Sequence, residues 1–314
     1  MSQKTNSVSV RQMIQSNKKN KGSLRIIESV MPKLFLTCAL ISILTTFGIL
    51  FTLIFETITF FKEVSIIEFI TGTQWFPFSH SSPSYGILPL ISGTLLITVI
   101  AMLVAIPVGL AAAIYLSEFA TDRVRRIIKP ILEVLAGIPT IVYGFFALGF
   151  VTPLLKNFIP DLSIYNALSA GIVVGIMIIP MVASLSEDAM SSVPNAMREG
   201  ALGLGSTRLE VSLKVVLPAA LSGVIASFVL AISRAIGETM IVALAAGSNP
   251  IATIDVTQSI QTMTAYMVQV FGGDVGYGTT LYYSVYAVGM TLFLFTFVMN
   301  LLAQYISRRF REEY

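Results

Sequence analysis

Two ionisable residues stand where charge is expensive. Arg234 and Glu238 lie inside a long apolar stretch, residues 219–246, four positions apart. In an uninterrupted helix that spacing places both on one face, one turn apart. An arginine at mid-bilayer costs at least about 2.5–3.5 kcal/mol, so it must face protein or a water-filled path. Two readings are open: a structural ion pair that neutralises itself, or a gate or ligand element along a solute path. A guanidinium fork suits phosphate or carboxylate oxygens. A nearby carboxylate would weaken its grip, as release during transport requires.

A second informative segment runs from Glu187 to Leu217, where polar and apolar residues mix. Pro194 precedes a short helical stretch, Asn195–Leu202, in which Ala196, Met197 and Ala201, with Leu204 beyond, fall near one face. Gly203 and Gly205 permit a sharp turn. Ser206 or Thr207 can cap a second helix, with Glu210 completing a capping box. That helix is expected to run through Val211, Leu213 and Lys214 until Pro218 opens the next apolar run. The segment is too polar to enter lipid. Other chemistry is scarce. His80 is the sole histidine and Cys38 the sole cysteine, which leaves no His-based metal site, no triad and no internal disulfide. No GK[ST] follows Gly203-x-Gly205, so any ATP site belongs to a partner.

The elements that must position these residues are membrane spans. Of 314 residues, 55% are hydrophobic and only 12% charged, against about 25% charged in a soluble domain. This excludes a disordered chain, a disulfide scaffold and most soluble enzymes. A net charge of +3 is too small to suggest a nucleic-acid partner. Six apolar runs approach the roughly 20 residues a bilayer demands: 34–61, 86–116, 131–155, 166–185, 219–246 and 280–306. Pro107 offers a kink in the second and Pro139 a bend in the third. Gly171 and Gly175, and Gly109 with Ala113, mark close helix contacts. Trp75, Tyr165, Tyr277, Tyr282 and Tyr283 are expected at the outer interface.

Lysine and arginine set the expected orientation. Seventeen of 20 fall in the polar tail 1–33, the loop after the second run, the segment 187–217 and the tail 308–314. Lys62 and Lys156 lie on the other side. Both termini are therefore expected to be cytoplasmic, with loops 62–85, 156–165 and 247–279 outside. Glu56 and Glu133 read as interfacial, His80 as a residue of a wet loop, and Asp255 and Asp274 as members of a solvated outer loop.

Glu199-Gly200-Ala201, Gly205 three residues on, and Val215-x-Leu217-Pro218 after nine more resemble the EAA loop of ABC importer permeases. Gly200 replaces the usual alanine and Val215 the usual isoleucine. In that family the segment, here 195–209, is the coupling helix that docks on a cytoplasmic ATPase. Arg234-Ala-Ile-Gly-Glu-Thr-Met240 is similar to a segment of phosphate-specific permeases. So are Gly137–Phe146, Gly86–Leu95 and Ile179–Ala183, and the similarity covers about residues 85–305. The C-type subunit is the nearer match.

The resemblance implies an all-α membrane protein with the six-transmembrane-helix bundle of a type I ABC importer permease, spanning residues 34–307. It implies a non-catalytic, multi-pass subunit of the bacterial cell membrane with no cofactor of its own. The implied partners are an A-type permease forming a heterodimer, two ATPase subunits and an external phosphate-binding protein. Arg234 and Glu238 would belong to the phosphate path, and Glu199, Gly200, Ala201, Gly205, Leu217 and Pro218 to the ATPase-coupling loop. An importer for another oxyanion, such as sulfate or molybdate, is an alternative that arginine chemistry alone does not exclude. A secondary transporter would need coupling-ion sites at mid-membrane and would leave the EAA-like loop unexplained. A passive scaffold predicts no role for Arg234 or Glu238. A membrane enzyme lacks a visible nucleophile–base cluster.

Overall fold

The computed structural model describes residues 22–79 and 82–309. His80 and most of the polar tail 1–33 therefore lie outside the described residues. The chain divides into two compact units, residues 1–55 and 56–314. The described part of the first is helix α1 (Gly22–Glu63), whose apolar side chains from Val30 through Phe55 are exposed except for the half-buried Leu50 and Leu53, and which continues past the unit boundary.

The regular structure described in the second unit is helical apart from one small hairpin. After α1 come α2 (Ile66–Thr71), strands β1 (Trp75–Phe76) and β2 (Ser84–Tyr85), and α3 (Leu88–Ile114), which ends in a π turn, Tyr115–Phe119. Next are α4 (Asp122–Ala136), α5 (Thr140–Phe146) and, beyond a π turn at Ala147–Val151, α6 (Thr152–Lys156). Helix α7 (Ala167–Ser191) precedes α8 (Asn195–Gly203) and α9 (Arg208–Val211). A π turn, Ser212–Val216, leads to α10 (Leu217–Ala219), α11 (Leu221–Ile236) and α12 (Met240–Ala245). The chain ends with α13 (Met263–Phe271) and α14 (Thr280–Arg309).

Among the described residues, four stretches are long and apolar enough to cross a membrane: Val30–Glu63, Leu88–Phe119, Ala167–Ser191 and Thr280–Leu302. Two bent pairs raise the number to as many as six. Asp122–Ala136 meets Thr140–Lys156 at 87°, and Arg208–Ala219 meets Leu221–Ile236 at 74°. The third apolar run is thus broken. Pro139 lacks an N–H and takes an extended ψ of 134°, so the chain turns at Gly137–Pro139. The second run behaves differently. Pro89 sits in the first turn of α3, where no N–H is needed, and Pro107 is carried inside one continuous helix.

Helices α3 and α7 form the centre of the bundle, and glycine sets their separation. A Cβ on Gly171 would lie 2.6 Å from Ile100 Cβ, and one on Gly175 would lie 2.8 Å from the Ala101 carbonyl oxygen. The expected small-residue contact is therefore a true backbone approach. Asn166, fully buried, caps α7 by accepting from Ser169 N at 2.7 Å. The hairpin pairs Trp75 with Tyr85 and Phe76 with Ser84. Trp75 is fully buried among Phe69, Tyr85 and Tyr266, so it is a core ring and not the interfacial residue expected.

Candidate functional site: a cationic cavity and a coupling elbow

The fifth apolar run does not continue as one helix through Glu238. Helix α11 ends at Ile236, Gly237 follows, and α12 starts at Met240. The two charges consequently fall on different pieces of backbone, and no ion pair joins them. This corrects the expectation of an i,i+4 pair. Glu238 is buried, and its Oε1 accepts from the backbone N–H groups of Met240 (3.1 Å) and Ile241 (3.3 Å). It therefore caps α12, where a negative charge meets orphan N–H groups and the positive end of the helix dipole. The Glu238 carbonyl also accepts from Thr264 Oγ1 at 2.6 Å, fixing the break against α13.

Arg234 occupies the last turn of α11, the favourable end for a cation, and its side chain is exposed. Its Nη2 lies 3.7 Å from Met177 Sδ on α7, a weak contact that leaves the fork available. The guanidinium borders a cavity of about 480 Å³ together with Lys129, Glu133, Met177, Pro180 and Ser184. Glu133, expected at an interface, thus faces the same space as Arg234.

Lys129 connects this cavity to an ion cluster on the end of α7. Glu187 on α7 is fully buried. Arg125 pairs with it, Lys129 Nζ stands 2.6 Å from its Oε2, and Ser191 Oγ donates to Oε1 at 2.9 Å. Lys129 also bonds Asp188 at 2.8 Å. Two cations around one buried carboxylate offset the cost of removing it from water. The available signal was Glu187-Asp188 at the end of an apolar run, one helical period from Ser191.

The segment 195–209 folds as a helix, a turn and a second capped helix. Gly205 has φ +89°, a left-handed conformation that glycine adopts without strain. Thr207 Oγ1 accepts from Glu210 N (3.3 Å) while Glu210 Oε2 accepts from Thr207 N (3.1 Å), so the capping box forms at Thr207. The Thr207 N–H, aided by Lys214 and the Thr207 hydroxyl, holds the Glu210 carboxyl at about 2. Pro218 does not end this element as expected. Its missing N–H leaves the Lys214 carbonyl without an i+4 donor, the turn widens to π geometry, and the chain bends at Ala220 instead.

The faces of α8 are also sharper than the pattern implied. Met197 and Ala201 pack against the apolar cluster of Met190, Val193, Val211 and Val216. Glu199, Gly200 and Leu202 are exposed, and Leu204 is 90% exposed, so Leu204 does not share the inward face. Leu217 is half-buried against that cluster. In the loop before α13, Asp255 accepts from the hydroxyl and N–H of Thr257 and from Gln258. These bonds hold its carboxyl below the usual range and make it a loop organiser.

The family described as "Binding-protein-dependent transport system inner membrane component" matches residues 105–312. The probable ABC transporter permease protein YqgH of Bacillus subtilis is 33% identical over 305 residues, 96% of this chain and 97% of its own. The phosphate transport system permease protein PstC of Xylella fastidiosa is 34% identical over 263 residues, 77% of this chain and 79% of its own. Among solved structures, a bacterial ABC transporter involved in import of the acidic polysaccharide alginate aligns with a TM-score of 0.63 at 16% identity. That alignment covers 92% of this chain and all of the other.

Proposed function

The chain belongs to the inner-membrane components of binding-protein-dependent transport systems, and from that premise we propose that it forms half of the phosphate path in an ATP-driven importer. The observation that carries the substrate is Arg234. Its fork borders a cavity that Glu133 also lines, and among the described residues it is held in no ion pair, in a chain similar to phosphate transport permeases over most of its length. Charge-assisted bonds from such a fork suit a tetrahedral oxyanion. Glu238 serves the path by fixing the backbone break from which Arg234 is presented.

The cycle needs two coupled parts. An external binding protein delivers phosphate to the outward-open permease pair, whose other half is an A-type permease. Two ATPase subunits close on ATP and push the loop 195–209, and access alternates. Glu199, Gly200, Ala201 and Gly205 lie in the pushed segment, while Leu217 and Pro218 join it to α11. The alginate importer, solved with a pentasaccharide-bound periplasmic protein, supports the involvement of an external carrier. The distribution of lysine and arginine supports cytoplasmic termini.

The test is labelled phosphate uptake by the reconstituted complex, with and without ATP, with sulfate as competitor. ATP-dependent uptake resistant to excess sulfate is expected. Uptake abolished by equimolar sulfate would move the assignment to a sulfate-type oxyanion. Uptake indifferent to ATP would refute it.

A further inference from the structure

Arg198 makes more polar contacts than any role in capping its own helix requires. It sits on α8 with its side chain only 16% exposed. Its Nη2 lies 3.0 Å from Glu118 Oε1, and its Nε lies 3.2 and 3.3 Å from the two Glu118 oxygens. The same fork donates to the backbone carbonyls of Met190 (2.7 Å) and Val193 (2.5 Å) and to Asn195 Oδ1 (3.3 Å). Glu118, 9% exposed, stands on the π turn that ends α3. Met190 O belongs to the last turn of α7, where carbonyls lack helical donors and a cation is favoured. One guanidinium therefore joins α8 to the ends of both central helices.

We propose that the Arg198–Glu118 pair is the clasp that makes α8 and the central helices α3 and α7 move as one body. This rests on the coupling reading above. Arg198 is a positioning residue, in contact with neither phosphate nor nucleotide. Its necessity follows from how little else holds α8. The outward face is exposed, Gly205 sits in the loop behind it, and among the described residues the apolar packing of α8 on the cluster below comes from Met197 and Ala201. A push on Leu204 without the clasp would swing α8 and leave the helices behind. Lysine, a point charge, cannot span Glu118 and two carbonyls at once.

The complete complex is reconstituted in proteoliposomes, and phosphate taken up per ATP hydrolysed is measured for R198Q, R198K and E118Q. Complexes that assemble and hydrolyse ATP should lose this ratio, by about tenfold in R198Q, the scale of an ordinary coupling free energy. R198K and E118Q should fall between R198Q and wild type. Assembled variants with the wild-type ratio would overturn the clasp, and so would failure of all three to assemble, which would make the contact structural only. Crosslinking of Leu204→Cys to the ATPase, in the otherwise wild-type complex, separates the two claims. Its absence refutes the coupling reading itself. Its presence beside an unchanged ratio refutes only the clasp.

Discussion

Replacing Arg234 with glutamine should disable transport while sparing the fold, and the structure gives the size of both effects. The side chain is exposed, its one described polar contact is the 3.7 Å approach to Met177 Sδ, and it carries no ion pair with Glu238. Substitutions at such positions change stability by no more than about 0.5 kcal/mol. A hydrogen bond to a charged partner contributes about 1.5–3 kcal/mol. Losing one such bond to phosphate corresponds to roughly 10- to 150-fold in apparent affinity. Arg234→Lys keeps the charge but not the fork and should fall between. The assay is initial uptake against phosphate concentration in proteoliposomes, normalised to complex recovered by affinity chromatography. Wild-type uptake by Arg234→Gln would refute the path assignment. Loss of the assembled complex would show that the arginine is structural.

Three further outcomes follow from the geometry. Gly175→Val forces a Cβ to within 2.8 Å of the Ala101 carbonyl oxygen, so thermal unfolding should reveal a loss of about 1–3 kcal/mol from overpacking. In the coupling segment, Gly205→Ala must strain a left-handed residue at about 1–2 kcal/mol, whereas Gly200→Ala meets open space inside a helix and should be neutral or stabilising; amide exchange across 195–211 distinguishes them. The Glu210 carboxyl, held at about 2, contributes stability above its ordinary value of 4.5, and that contribution fades as pH falls through 4.5 towards 2. A titration of labelled glutamate resonances should therefore find Glu210 ionised at pH 3.5, and a midpoint near 4.5 would contradict the capping box.

What the amino-acid sequence by itself determined was local or additive. Apolar runs sum transfer free energies residue by residue, so the central helices α3 and α7 could be read from composition alone. The capping box at Thr207 and Glu210 closes within three residues and needs no distant partner. Gly171 and Gly175 announced a close helix contact because a missing Cβ has few other uses at that spacing. Tertiary structure decided what depends on which helices meet. A hydropathy window sees residues 219–246 as one span, yet the buried Glu238 carboxylate finds its partners in the N–H groups of Met240 and Ile241 and helps hold the helix broken. Arg198 meets Glu118 across 80 residues, and Lys129 meets Asp188 across 59. No periodicity encodes such pairings, because they follow from the angles at which packed helices cross and bend.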